Sequence, residues 1–387
     1  LTGAEMGGKI HCIRNHYSKR RICCSAVLRS RSRPGCRRTE QANPLRYNMR
    51  PSSVLYPASS NSNMTLRDRT IEAGELVRRA GRAVARLSHC DLCPRRCGVD
   101  RLAGKRGFCA TGRLAEISSA TVHGGEEPPI SGTRGSGTIF FTHCNLACIH
   151  CQNHQISQGG AGRGVSPEEL AAEMLELQKK NVHNINLVSP SHCVAQILEA
   201  VPIALAGGLK LPVVYNCGGY DSVDALELLE GVVDVYLPDM KYGYPEEAER
   251  LSGRRDYVEV NRRALKEMFR QAGPPVFDAD GIIRSGLIVR HLVLPEDRSG
   301  TYEALCFIAE EVSTNVGLSL MAQYRPMHKA EGAPDMNRPI TANEYRAAIE
   351  WAGKLGFETF WVQKPESAGS WVPDFNEDDP FRSSRGG

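Results

Sequence analysis

The 387-residue chain reads as an α/β protein of parallel strand–helix units, preceded by a cysteine-rich metal knuckle. Three observations predict this. From residue 137 onward, short apolar runs alternate with amphipathic stretches of helix length. Each candidate strand ends in a polar or glycine-containing tip at the same end, which is where parallel barrels gather their reactive groups. Two groups of cysteines also stand at metal-ligand spacing, one before the first unit and one directly after its strand. With 41% hydrophobic residues the chain can bury a large core. No stretch approaches the roughly 20 apolar residues of a membrane span, so no membrane partner is expected.

Residues 1–65 stand apart. They carry 12 Lys and Arg against two acids, Glu5 and Glu40, a charge of +10, whereas the remainder holds 36 basic and 42 acidic residues, or −6. The segment is Ser-rich and lacks hydrophobic periodicity, so no fold is expected of it. Three readings stay open: an organellar targeting segment, a basic arm for nucleic acid, or an extension ahead of a start at Met49 or Met64. The expected compartment is the cytoplasm, or an organelle if the targeting reading holds. The cysteine usage suits a reducing environment, because the clustered cysteines read as metal ligands rather than disulfides.

Residues 66–136 are expected to hold a helix followed by the knuckle HCDLCPRRCGVDRLAGKRGFC. Cys90, Cys93, Cys97 and Cys109 supply four thiolates, and Pro94, Gly98, Gly104 and Gly107 supply turns. Four thiolates leave no open coordination position, so the site would be structural or electron-carrying. Zinc and an iron–sulfur cluster both fit that spacing. Arg95, Arg96, Arg101, Lys105 and Arg106 read as a solvated face, with a docking patch as the alternative.

Residues 137–363 carry the strand–helix units. Strands are predicted at 137–143, 184–189, 212–216, 233–239, 286–295 and 318–324, with a final one in TFWVQ. Between them lie SPEELAAEMLELQKK, with Ser166 as N-cap and Pro167 in the first turn, then VAQILEAVPIAL, SVDALELLE, RRALKEMFRQAG, YEALCFIAEEV and TANEYRAAIEWAGKLG. Residues 364–387 form a tail. Cys193, Cys217 and Cys306 sit in apolar runs and read as small buried hydrophobes.

The chemistry concentrates at the strand ends. The first strand runs into FTHCNLACIHCQN, where Cys144, Cys148 and Cys151 follow a C-x3-C-x2-C spacing. Among 14 cysteines this spacing has a chance occurrence of about 0.02. Three thiolates on a four-iron cluster leave one iron for a non-protein ligand. A zinc site would need a fourth ligand, such as His143, His150 or His154. The later tips are Ser189-Pro190-Ser191-His192, Asn216-Cys217-Gly218-Gly219-Tyr220-Asp221, Pro238-Asp239-Met240-Lys241, Arg290-His291 and Tyr324-Arg325-Pro326. Together they favour a ligand site at this end of the strands.

The three-cysteine spacing resembles the signature of the radical S-adenosylmethionine (radical SAM) superfamily. With CPRRC, HNINLVSPSH, VVYNCGGYD, VYLPDMKYG, IVRHLVLP and AQYRP, residues 90–330 resemble its pyruvate formate-lyase activating enzyme-like proteins. The resemblance implies an open (β/α)6 partial barrel and two cofactors, a 4Fe-4S cluster on Cys144, Cys148 and Cys151, and S-adenosylmethionine on its free iron. Reductive cleavage would yield a 5′-deoxyadenosyl radical for hydrogen abstraction. Gln152 and Asn153 would shape the cofactor pocket. Ser189, Ser191 and His192 stand where the activases have a Gly-Gly-Glu type motif for the amino group. Asn216 and Gly218 would lie near ribose and carboxylate, and Arg290 and His291 at the carboxylate or substrate. Asp239 and Lys241 match the activases' Asp-x-Lys motif, the implied catalytic pair. His150 replaces the usual aromatic residue before the third cysteine, and such a ring could titrate near pH 6.5.

The expected function is therefore radical SAM chemistry, with a glycyl radical enzyme as the target and a flavodoxin- or ferredoxin-like electron donor as partner. The alternative is the same chemistry on a small metabolite or a nucleic acid base; nucleic acid is otherwise not an expected partner. A third reading is a non-catalytic module with zinc in both cysteine clusters.

Overall fold

Seven short, largely apolar runs build the parallel part of one mixed sheet. The computed structural model describes residues 73–363, 373–377 and 380–381. The basic segment 1–65 and most of the 364–387 tail lie outside them. In chain order the strands are β1 (Ala115–His123), β2 (Ser136–Phe141), β3 (Arg163–Val165), β4 (Ile185–Val188), β5 (Val213–Cys217), β6 (Val235–Pro238), β7 (Val276–Phe277), β8 (Ile283–Leu292), β9 (Gly317–Met321) and β10 (Phe360–Val362). The helices are α1 (Ala73–Ala85), α2 (Pro128–Ser131), α3 (His154–Ser157), α4 (Pro167–Lys179), α5 (Val194–Ala206), α6 (Val223–Leu228), α7 (Pro245–Ser252), α8 (Tyr257–Ala272), α9 (Thr301–Phe307) and α10 (Ala342–Lys354).

The sheet order is β10-β9-β8-β6-β5-β4-β2-β1-β3, with β7 paired to β8. From β2 to β10 every neighbour on this path is parallel. The strands β2, β4, β5, β6 and β9 are buried along their whole length, as expected when both faces of a parallel sheet are covered. The sheet does not close on itself. It is an open, partial barrel of strand–helix units, as the sequence predicts.

Local chemistry explains the individual elements. Ser166 accepts from the Glu169 N–H and the Glu169 side chain reaches back to Ser166, a capping box that starts α4 with Pro167 inside its first turn. Thr341 and Glu344 do the same for α10. The helix of RRALKEMFRQAG begins earlier than its apolar spacing suggests, at Tyr257. YEALCFIAEEV gives α9 and then a π turn to Val312. Strands β1 and β3 are not evident in the sequence, because Ser and Thr weaken β1 and β3 has only three residues. At one edge of the sheet β1 pairs antiparallel to β2, and β3 pairs antiparallel to β1.

Alternation along each strand separates two environments. Val213, Tyr215 and Cys217 face the helices, in the main core with Ile139, Phe141 and Leu187. Val214, Val235, Leu237 and Ile288 fill the opposite face with Ile130 of α2. Cys193, Cys217 and Cys306 are buried, as their apolar surroundings imply. The helix α1 packs against α5, and the cysteine knuckle follows it. Among the described residues, no helix is long and apolar enough to cross a membrane.

Candidate active site

The loop after β2 turns sharply, with His143 at φ +71°. It then delivers Cys144, Cys148 and Cys151. Each sulfur has a local donor or partner: the Leu146 N–H reaches Cys144 Sγ at 3.4 Å, Ser252 Oγ donates to Cys148 Sγ at 2.9 Å, and Ser157 Oγ lies 3.2 Å from Cys151 Sγ. The loop is pinned by main-chain bonds from Ile149 to Leu251 and from Ala330 to Ile149, and by Asn145 Nδ2 donating to Tyr220 O at 2.7 Å. Burial and then the charge of neighbouring loop thiols push Cys144 up to about 12 and Cys151 up to about 11. Burying three thiols together disfavours their ionisation; a bound cationic metal core would reverse that.

Across from the loop stands the Asp239–Lys241 ion pair beyond the end of β6, each side chain about one-fifth exposed. Burial opposes the charge of Lys241, but Asp239 and the nearby Cys148 outweigh it and hold the amine above its ordinary value. The pair sits on a braced support. Tyr257 Oη contacts Gly218 O at 2.9 Å and Asp239 O at 3.0 Å, while Asn261 Nδ2 donates to Gly219 O and Asp239 O. Gly219 has φ +73°, and a Cβ there would stand 2.2 Å from Asp239 O, so only glycine fits. Gly218 lies beside Leu146 of the cysteine loop and the Lys241 side chain. The structure therefore brings together the loop cysteines, Gly218, Asp239 and Lys241.

Other expected residues are placed differently. Arg290 is not free for a carboxylate. Its Nε donates to Glu127 at 2.7 Å, Nη2 to Glu127 and Glu126, and Nη1 to Asn216 Oδ1 at 3.1 Å. Burial opposes its charge, but Glu127 and Glu126 outweigh that and hold it well above the usual range; Glu127 is correspondingly lowered. Asn216 is thus tied into this buried group, as is Asn186, whose Nδ2 donates to Glu126 at 2.9 Å. His291 points the other way, because neighbouring strand residues alternate faces. Its Nδ1–H donates to Met240 O at 2.7 Å, its Nε2 meets Thr301 Oγ1 at 3.0 Å, and burial lowers it to about 4. It is a buried neutral ring, not a cofactor contact.

His192 is held just beyond the end of β2. Its Nε2 donates to Thr142 O at 2.9 Å, and the ring walls the cavity of the four-cysteine knuckle. Ser191 hydrogen-bonds to buried Asp221 and Tyr215. Ser189, half-buried with φ +59°, stays at the tip, its N–H donating to Asn216 O. Gln152 and Asn153 remain on the cysteine loop, Asn153 as N-cap of α3. His150 does not titrate near pH 6.5: burial and then Lys241 lower it to about 3. It sits edge-on to Tyr242 and Tyr324. Glu126 and Glu127 were missed in the sequence, although two adjacent acids before Pro128-Pro129 are a signal of paired carboxylates.

Residues 138–283 match the family model for the radical SAM superfamily. Over 289 residues, 71% of this chain and 77% of the relative, the sequence is 32% identical to "Uncharacterized protein MJ0674" of Methanocaldococcus jannaschii. The chain belongs to the radical SAM superfamily. Two solved structures are similar at 11% identity. One is the FeFe-hydrogenase maturase HydG of Carboxydothermus hydrogenoformans, with a TM-score of 0.40 over 58% of this chain and 53% of that one. The other is a HydG crystal structure with a TM-score of 0.42, covering 78% and 66%. This chain therefore spans about half of the first of those structures.

Radical SAM family membership implies a 4Fe-4S cluster and S-adenosylmethionine. The donor set of the β2 loop fits them: three thiols at the C-terminal end of the first parallel strand, each with a hydrogen-bonding neighbour, facing a partly open Asp–Lys pair. Among the described residues, no three Cys, His, Asp or Glu side chains are drawn tightly around a single-ion position.

Proposed function

We propose that this radical SAM protein cleaves S-adenosylmethionine reductively at Cys144, Cys148 and Cys151, and that it abstracts hydrogen from a glycine Cα of a partner protein. One observation carries the reading: the three loop thiols and the Asp239–Lys241 pair meet at the C-terminal ends of the parallel strands. When bound, the cluster and S-adenosylmethionine supply the electron and the carbon radical.

The chain's own residues have other tasks. Ser252 and the Leu146 N–H donate toward sulfur and stabilise thiolate character. Tyr257 and Asn261 lock the β5 and β6 tips together, fixing Gly218 and Asp239. Positioning matters most here, because a primary carbon radical reacts with whatever C–H bond is nearest. Lys241 and Asp239 present both charges toward a peptide main chain, which offers one carbonyl and one amide per residue. The half-open tips at Ser189, Gly218 and Asp239 suit an inserted loop. The electron donor would be a flavodoxin- or ferredoxin-like protein.

A second reading is the same chemistry on a small metabolite, and the polar group of Glu126, Glu127, Asn216 and Arg290 among the parallel strands is the feature that fits it, its charges being already paired with one another. One experiment separates the two. Reduced, reconstituted protein is incubated with a glycine-Cα-deuterated peptide. Deuterium in 5′-deoxyadenosine supports the glycine target. Cleavage without transfer from any such peptide counts against it.

A further inference from the structure

The knuckle's residues are not among those assigned to that chemistry. Its four cysteines, Cys90, Cys93, Cys97 and Cys109, line one small cavity together with Arg101 and His192. Arg101 is not the solvated residue its sequence context suggests; it is 1% exposed. Its Nε donates to Gly112 O and its Nη1 to His192 O, both at 2.9 Å, with Cys90 Sγ 3.8 Å from Nη1. Its Nη2 is buried and has no partner. Among the described residues no carboxylate pairs with it, although a guanidinium keeps its proton at any ordinary pH. A buried cation facing only neutral carbonyls and thiols is costly. Four thiolates on a metal change the balance, because their negative charge exceeds that of a divalent ion or an iron–sulfur core.

We propose that Cys90, Cys93, Cys97 and Cys109 hold an anionic metal–tetrathiolate centre, zinc or an iron–sulfur cluster, with Arg101 as its buried counter-cation. The thiols either close on one ion or spread over a cluster. The centre also braces the radical loop: Arg95, between Cys93 and Cys97, donates to Asn145 O at 2.6 Å, next to Cys144. The centre does not depend on the Cys144–Cys151 site, and its test removes that site.

The full chain carrying C144A, C148A and C151A is reconstituted separately with zinc and with ferrous iron plus sulfide. Metal and acid-labile sulfide are then measured. One centre per chain should remain, and adding C93A should abolish it. In the same background, R101M should lower the chelator concentration that strips half the metal by about tenfold. R101K keeps the charge and should stay within about threefold of Arg101, which carries the test if R101M does not fold. No retained metal, retention despite C93A, or R101K stripped as readily as R101M would overturn the proposal.

Discussion

Cys148 shows how one side chain answers to several neighbours. It is buried, accepts a hydrogen bond from Ser252, and lies close enough to Lys241 to help hold that amine charged. Cys148→Ala should leave the fold intact, yet abolish both iron binding at the loop and 5′-deoxyadenosine formation, as read by iron analysis and chromatography. Arg290 behaves differently. Removing its charge with Arg290→Met strands Glu126 and Glu127 in the interior, which should cost about 3–5 kcal/mol in denaturant unfolding. His291 gives a pH signature. The unfolded ring takes a proton below its ordinary 6.5, whereas the buried ring resists until about 4. The unfolded state therefore binds more protons across that window, and stability should fall as pH drops from 6.5 toward 4. His291→Gln should lessen the slope by one proton's share in pH-dependent unfolding, with buried His150 and His192 still contributing theirs.

At the scale of elements, the β5–β6 tips are the most tightly specified part of the site. Gly219→Ala would force a Cβ against Asp239 O and the Asn261 amide at positive φ. A loss of about 3 kcal/mol or more is expected in thermal or denaturant unfolding, against about 1 kcal/mol for the Ser166→Ala cap removal. The elements also show what could be read from sequence. All seven parallel strands were legible, because buried runs such as VVYNC and INLV stand out between polar tips. Their facing was not. A strand buried on both sides carries no alternation to set its phase, so Arg290, pointing inward, and His291, pointing outward, look equivalent in IVRHLVLP. His192 lies in the turn after β4, and the polar run there does not show that it lines the knuckle cavity. Glu126 and Glu127 escaped notice because they follow β1, whose Ser and Thr hide it.

The whole molecule combines an open parallel barrel with a cysteine knuckle joined to it by Arg101, by Arg95 at Asn145, and by Ser222 Oγ at Leu92 O. The knuckle and the radical loop therefore share a boundary, so loading one should be felt by the other. The radical SAM assignment rests on the family match and the relative; the loop thiols are where its cofactors are proposed to sit. The most direct test is anaerobic reconstitution of the full chain, followed by reduction with S-adenosylmethionine and low-temperature electron paramagnetic resonance. The account predicts a loop cluster of about four irons, lost in Cys148→Ala whatever metal the knuckle holds, whose spectrum shifts when S-adenosylmethionine binds and which yields 5′-deoxyadenosine. A cluster that is lost in Cys148→Ala, yet whose signal ignores S-adenosylmethionine because every iron is already ligated by protein, would contradict it.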